Sequence, residues 1–311
     1  MRALDAFARE RTPERPGPGP LPDTLLRALD LTIGRRVEGL LSGDYRSSQL
    51  GFGSELAQVR PYEPGDDVRR IDWNVTARMQ VPHVRVHLAE RVMTTWLVLD
   101  TSPSMSFGTA DRRKADVAEG AAMAIGHVAT RRGNRLGVVT FGDADPKTML
   151  PRQGRTGLLG LLTALHDDAA RPASGGTQFG EAFRRVGGAA RQRAFIAVVS
   201  DFRGPPDWRK PLLEIAGRHD VVAVEVRDPR EQELPNVGEL WLVDPETGQK
   251  LRVNTRSEKL RERFAQAAAA ERSQLTSTFA QIGVRHVVLS TAGDWLRVLV
   301  PFLRRGSGRR R

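Results

Sequence analysis

The segment that decides the fold reads Thr94-Thr95-Trp96-Leu97-Val98-Leu99-Asp100-Thr101-Ser102-Pro103-Ser104-Met105-Ser106. Its first half is a run of apolar and β-branched residues, which is typical of a buried strand. Because Pro103 and the serines interrupt this pattern, we expect the strand to end at Asp100. The strand then delivers oxygen ligands from Asp100, Ser102 and Ser104 to the rim of a sheet. Hard cations such as Mg²⁺ prefer oxygen ligands, but these three residues supply only part of a coordination shell.

Strand-like and helix-like patterns alternate along the rest of the chain, which predicts an α/β fold with a doubly wound, mainly parallel sheet. The predicted strands after the first are 135–141, a short edge strand at 148–150, 193–202, 219–226 and 284–290. The predicted helices are 110–132, 154–168, 178–191, 208–217, 257–283 and 295–303. Ligands of such sheets bind beyond the carboxyl ends of the strands. Asp100 and Asp201 each end a predicted strand, so we expect both carboxylates at the same rim.

The chain divides into four predicted regions. Residues 1–22 form a disordered lead-in rich in proline and glycine, and residues 23–91 form a helix followed by a β-rich region with a turn at Glu63-Pro64-Gly65-Asp66-Asp67. Residues 92–304 form the α/β domain, with a β-hairpin insertion at about 239–254, and residues 305–311 form a basic tail.

The composition excludes several classes of site. The 311 residues include no cysteine, so disulfides, zinc-thiolate sites, iron–sulfur clusters and thiol nucleophiles are excluded. The formal charge of +11 would suit a nucleic acid or an anionic membrane surface. Only five of the 48 basic residues are lysines, a bias that also fits a GC-rich genome without any binding role. Since no apolar stretch approaches the roughly 20 residues of a membrane helix, we expect a cytoplasmic protein, with peripheral membrane association left open.

Three separated pieces of sequence resemble the metal-ion-dependent adhesion site of von Willebrand factor A domains. These are Asp100-x-Ser102-x-Ser104, Gly175-Gly176-Thr177 and Asp201. The resemblance implies that Ser102, Ser104 and Thr177 give hydroxyl ligands to Mg²⁺, or to Mn²⁺ or Ca²⁺. It also implies that Asp100 and Asp201 bind directly or through water, and that one position stays open for an acidic residue of a protein partner. Without a metal, both aspartates could simply form turns and Thr177 could cap a helix.

A second resemblance concerns residues 35–305, which are similar to the bacterial family catalogued as domain of unknown function 58. The specific part lies between Arg60 and Arg78, and its signature residues are Arg60, Tyr62, Gly65, Asp66, Asp67, Asp72, Trp73 and Arg78. They could form a recognition surface with Trp73 or Tyr62 as anchor, or a salt-bridged cap that buries Trp73. Members of this family often occur beside MoxR-type AAA+ ATPases, which implies a role as an adaptor for such an ATPase.

The residues give less support to an enzymatic function. An aspartyl-phosphate phosphatase would need a second acid two residues after Asp100, where this chain has Ser102. There is no G-x-S-x-G motif and no Walker motif. We therefore expect a metal-dependent interaction module rather than an enzyme, with a metal-dependent hydrolase or a basic nucleic-acid-binding protein as the alternatives.

Overall fold

The computed structural model of the protein describes residues 56–87, 93–131, 134–142, 146–169, 179–204, 206–244 and 248–304. The chain divides into two compact units, residues 37–92 and the remainder. The predicted lead-in, the helix predicted to begin near residue 23 and the predicted basic tail lie outside the described residues.

In the smaller unit, strand β1 (Leu56–Pro61) pairs antiparallel with β2 (His83–His87). Between the two strands the chain forms helix α1 (Trp73–Met79), in a region where the sequence predicted only β-like segments and turns. The helix begins after Asp72, whose carboxylate accepts hydrogen bonds from the amides of Asn74 and Val75. An aspartate at this position satisfies backbone donors that a helix leaves free at its start.

The larger unit carries the remaining strands and helices. Its described strands are β3 (Thr94–Asp100), β4 (Arg135–Phe141), β5 (Lys147–Gln153), β6 (Phe195–Ser200), β7 (Asp220–Arg227), β8 (Glu239–Val243), β9 (Lys250–Asn254) and β10 (Arg285–Ser290). Its described helices are α2 (Lys114–Arg131), α3 (Gly154–Ala169), α4 (Phe179–Ala189), α5 (Arg209–Ala216), α6 (Glu258–Ile282) and α7 (Trp295–Arg304). Strands β8 and β9 form the predicted hairpin.

Six strands form the central sheet in the order β10-β7-β6-β3-β4-β5. Five of them are parallel, and β5 runs antiparallel at the edge. Helix α2 contacts both α3 and α7, while α4 packs on α5 and α5 on α6. The prediction of an α/β fold with a mainly parallel sheet is therefore confirmed, and the architecture is compatible with a Rossmann-like fold.

The central strands are mostly apolar because helices cover the sheet. Every residue of β6 is buried, as are all residues of β3 after Thr94. Close packing also requires a glycine at position 137 on β4. A Cβ atom at Gly137 would lie 2.7 Å from the ring of Trp96 on β3. The two strands that end at the predicted site therefore lie in the buried core.

Candidate functional site

Strand β3 ends at Asp100, and the backbone then turns back over the carboxylate. The Ser102 amide donates a hydrogen bond of 2.9 Å to Asp100 Oδ1, and a short 3-10 helix begins at Pro103. This turn brings the hydroxyls of Ser102 and Ser104 to 3.0 Å from each other. All three predicted ligands on this segment are buried. The turn therefore gathers a carboxylate and two hydroxyls at one point, as the spacing of the residues predicted.

The neighbouring strand β6 brings a second carboxylate and a hydroxyl that the sequence did not single out. Leu99 pairs with Val199, so β3 and β6 end side by side. Ser200 Oγ, at the end of β6, donates a hydrogen bond of 2.5 Å to Asp100 Oδ2. The next residue, Asp201, accepts a hydrogen bond from the Arg203 amide. The polar Ser200 within an otherwise apolar run was the signal that could have identified it.

The environment of Asp100 disfavours its ionised form. Burial raises the pKa of the Asp100 carboxyl to about 7, and the nearby negative charge of Asp201 acts in the same direction. Hydrogen bonds from Ser102 and Ser200 oppose this shift but do not cancel it. A cation bound beside Asp100 would favour its ionised form.

A buried lysine, which the sequence did not single out, already neutralises part of this charge. Lys114, the first residue of α2, is fully buried, and its ammonium donates to Asp201 Oδ2 at 2.6 Å and to Glu231 Oε1 at 2.6 Å. The guanidinium of Arg203 lies 3.3 Å from the same Glu231 oxygen. The only sequence signal for this arrangement was a lysine in a chain whose basic residues are mostly arginine.

Asp228 fixes the loop that precedes α2. Its carboxylate accepts hydrogen bonds from the amide and hydroxyl of Thr109, the hydroxyl of Thr291 and the amide of Arg230. Burial alone would raise the pKa of Asp228, but these hydrogen bonds outweigh it, so the pKa lies below its ordinary value. Asp228 thus joins the ends of β7 and β10 to the loop that leads to Lys114.

The predicted ligands present in the described residues form an oxygen-rich donor set. Two carboxylates and two hydroxyls, from Asp100, Asp201, Ser102 and Ser104, suit a hard divalent cation in chemical type. Within the part of the chain that the structure describes, no group of three or more histidine, cysteine, aspartate or glutamate side chains could hold a metal ion. Thr177, with Gly175 and Gly176, lies outside the described residues.

The signature residues Asp66 and Asp72 form hydrogen bonds and ion pairs within the smaller unit. Arg60 and Asp66 form a bidentate pair with two hydrogen bonds of 2.8 Å. Asp72 caps α1 and also accepts from Arg85 Nε at 2.7 Å. These bonds lower the pKa of both aspartates, for Asp66 mainly through Arg60 and for Asp72 mainly through Arg85. Both aspartates are therefore bonded to groups of their own unit.

The remaining signature residues are at turns or on the surface. Gly65 has a φ of 109°, a conformation that favours glycine, and Asp67 accepts a hydrogen bond from the Arg69 amide. The Tyr62 amide donates to the Pro82 carbonyl, and Arg78 is exposed. Trp73 is 71% exposed. The described residues therefore leave Trp73 exposed, unlike the alternative in which the cap buries it, whereas ion pairs of the kind that this alternative predicted are present.

Comparisons with known proteins identify the family. An uncharacterized protein of Mycobacterium tuberculosis is 41% identical over 285 residues, which cover 91% of this chain and 90% of the relative, and one from Mycobacterium bovis matches equally well. Among solved structures, an aerotolerance-related membrane protein from Bacteroides fragilis is similar at a TM-score of 0.44 and 15% identity, covering 69% of this chain and 98% of its own. The conserved hypothetical protein BatB from Bacteroides thetaiotaomicron is similar at 0.43 and 16%, covering 68% and 98%.

None of the described helices is both long and apolar enough to cross a membrane. The model of the family described as protein of unknown function DUF58 matches residues 58–274, which is more than half of the chain. The match includes both the signature segment and the ends of β3 and β6. The chain therefore belongs to the DUF58 family.

Proposed function

We propose that this chain is a metal-dependent protein-interaction module whose sheet is of the von Willebrand factor A type. The observation that carries the proposal is the convergence of four buried oxygen-bearing side chains at the adjacent ends of β3 and β6. Asp100, Ser102 and Ser104 come from one segment and Asp201 from another. With Thr177, they would hold Mg²⁺, or Mn²⁺ or Ca²⁺, in agreement with the preference of hard cations for oxygen ligands.

The charge balance of the site favours an interaction over a closed structural metal site. A divalent cation bound here would supply a positive charge that attracts a carboxylate of a partner. The chain itself contributes only two carboxylates, and Lys114 already neutralises much of the charge of Asp201. Positive charge would therefore remain for an acidic side chain from outside. We propose a MoxR-type AAA+ ATPase as the partner, based on the resemblance to the family found beside such ATPases.

The first experiment measures metal binding directly. Isothermal titration of the metal-free full chain with MgCl₂ should give a binding signal that Ser104→Ala weakens at least tenfold. Ser106→Ala is the matched control, because Ser106 lies on the same turn but is exposed. Equal Mg²⁺ affinity in wild type and Ser104→Ala would contradict the proposed ligand set.

The second experiment tests the partner. The MoxR-type ATPase should be captured by the immobilised chain with Mg²⁺, and capture should be lost after metal removal and in Asp100→Ala. Capture that persists without metal would overturn the metal-bridged mechanism. Phosphatase turnover that requires Asp100 would favour a hydrolase instead. Nucleic-acid binding that weakens steeply with salt and survives Asp100→Ala would favour the nucleic-acid alternative.

A further inference from the structure

The hairpin of β8 and β9 forms a two-stranded sheet of its own. Every residue of the two strands is exposed or half-buried, so neither strand belongs to the buried core. An isolated two-stranded hairpin is only marginally stable in water. Its outer edges can pair with a further strand, since the backbone groups there have no strand to bond. The hairpin is therefore a candidate for strand addition from outside the chain.

The hydrogen bonds of the hairpin show which backbone groups of β8 point outward. At one end, the Thr255 amide donates to the Gly238 carbonyl at 2.6 Å. At the other end, the Asp244 amide donates to the Gln249 carbonyl at 2.9 Å. In an antiparallel pair, alternate residues bond the partner strand, and the residues between them direct their amides and carbonyls outward. The outward residues of β8 are therefore Glu239, Trp241 and Val243. None of their backbone groups has a hydrogen-bond partner within the part of the chain that the structure describes.

The two edges of the hairpin present different side chains. At its outward positions β9 carries Lys250 and Arg252, and charged residues are typical of edges that resist pairing. A two-fold pairing of β9 about Arg252 would also place like charges opposite each other, which is destabilising. The β8 edge instead carries Trp241 and Val243, which are 51% and 54% exposed. We therefore expect strand addition at β8 and not at β9.

Strand β8 is complementary to a second copy of itself. In an antiparallel pairing about Trp241, the two Trp241 rings lie side by side on one face, and Leu240 lies opposite Leu242 on the other. Glu239 lies opposite Val243, so each outward residue meets another outward residue, and the two exchange amide and carbonyl bonds. Cross-strand aromatic and aliphatic pairs of this kind stabilise a sheet. Both faces of the paired strands are thus apolar at their centre.

The far end of β8 carries a cation that this pairing would use. Lys250 lies directly across the hairpin from Val243. Its ammonium is exposed and has no ion-pair partner among the described residues. Glu239 of a second copy falls opposite the same Val243, and its carboxylate would approach Lys250 over the valine side chain. Two-fold symmetry repeats this contact, so it would form twice.

A second cation lies at the start of β8. Nε of Arg256 is 3.6 Å from the position that a Cβ atom on Gly238 would take. The Arg256 side chain is exposed and has no ion-pair partner in the described ranges. Asp244 of a second copy falls opposite Gly238, so its carboxylate would meet this guanidinium. Opposite charges therefore face each other at both ends of the paired strands, and this complementarity selects a second copy as the occupant.

We propose that two copies of this chain associate through β8, with the strands antiparallel about Trp241, and so join the two hairpins into one continuous sheet. Main-chain hydrogen bonds would supply affinity, as in other cases of strand addition to a sheet edge. Because each copy contributes a single short strand, the contact falls at the small end of interface sizes, where association is weak and depends on protein concentration. It needs no metal and is independent of the proposed metal site.

Sedimentation velocity of the full chain in metal-free buffer, over a concentration series into the high micromolar range, measures this association. The mean mass should rise from the 34.3 kDa of the monomer towards twice that value. Trp241→Lys and Trp241→Glu should each weaken association at least tenfold, since like charges then lie opposite each other across the two-fold axis. An equimolar mixture of the two variants should associate at least tenfold more tightly than either alone, which would also show that both fold. Leu251→Lys is the matched control, since Leu251 is exposed on β9 and lies off the contact edge.

Hydrogen exchange locates the contact. The amides of Trp241 and Val243 should exchange more slowly at high than at low protein concentration, while those of Leu240 and Leu242, which already bond β9, should not change. Val243→Pro removes one outward amide without breaking a bond to β9, so it should weaken association, whereas Val243→Thr keeps the amide and should not. A chain that stays monomeric throughout the series, or that associates equally well as Trp241→Lys, would overturn the proposal. A mixture of the two charged variants that associates no better than either alone would overturn the two-fold register.

Discussion

Lys114 Nζ lies 2.6 Å from Asp201 Oδ2, and both side chains are almost completely buried. The same ammonium bonds Glu231 at 2.6 Å, so one cation serves two carboxylates. Removal of one member of a buried charge network leaves uncompensated charge in the interior. The start of α2 and the ends of β6 and β7 therefore depend on each other through this one side chain.

We expect Lys114→Met to lower the free energy of unfolding by about 3 to 5 kcal/mol, because it leaves the buried Asp201 without its ammonium partner and leaves Glu231 with only the more exposed Arg203. Urea denaturation measures this change. The combined change Lys114→Met, Asp201→Asn and Glu231→Gln should recover most of the loss, since no charge is then left unpaired. Lys210→Met, at an exposed position on α5, should stay within about 0.5 kcal/mol of wild type. A triple variant no more stable than Lys114→Met would contradict the electrostatic explanation.

The raised pKa of Asp100 predicts how stability varies with pH in metal-free protein. Between the ordinary pKa of 3.8 and about 7, the folded chain keeps a proton on Asp100 that the unfolded chain has released. The contribution of Asp100 to the free energy of unfolding should therefore fall as pH rises from 4 to 7, by up to about 4 kcal/mol, and stay constant above that range. The difference between wild type and Asp100→Asn in urea denaturation at several pH values isolates this contribution. A difference that does not change with pH would show that Asp100 titrates normally.

The hydroxyl of Thr291 bonds the carboxylate of Asp228 at 2.7 Å in a fully buried setting. Thr291→Val keeps the shape of the side chain and removes the donor, so we expect a loss of about 2 kcal/mol in the free energy of unfolding. Thr291→Ser retains the hydroxyl and should lose less. Equal losses in the two variants would assign the effect to packing instead of the hydrogen bond. Thermal or urea unfolding of both variants provides the comparison.

Because Trp73 is exposed and Trp208 is buried, we expect their replacement by alanine to have different effects on stability. Trp73→Ala should change the free energy of unfolding by less than about 0.5 kcal/mol, as is typical of surface positions. Trp208 is 3% exposed and packs against Phe202 and Phe279, so Trp208→Ala should cost about 3 to 5 kcal/mol. A large loss in Trp73→Ala would show that its ring is covered in the folded protein.

The sequence predicted the sheet and two of its strand ends because local signals agreed there with the tertiary structure. The apolar runs that end at Asp100 and Asp201 are strands that need burial on both faces, and this pattern is readable without coordinates. Helix α2 begins at Lys114, four residues later than predicted, because Asp228 and Thr109 hold the preceding loop in another conformation. That contact joins residues 119 positions apart, which no local pattern can reveal.

The candidate site likewise has one feature that the local sequence predicted and others that depend on distant residues. The spacing of Asp100, Ser102 and Ser104 predicted their convergence, since one turn brings them together. The charge balance could not be predicted, because Lys114 and Glu231 are distant from Asp201 in sequence and meet it only through the packing of α2 on the sheet. Ser200 was overlooked because a single serine in an apolar strand is common, and its role depends on which strand lies beside it.

The pairing of Arg60 with Asp66 and of Arg85 with Asp72 has a consequence for the ionic-strength dependence of recognition. These four charges are satisfied inside the smaller unit, while its large apolar side chains Val68, Trp73, Met79 and Val81 are exposed. Contacts made through apolar side chains are not screened by dissolved ions. Association through this surface should therefore persist in concentrated salt, whereas contacts made through the proposed metal site should weaken.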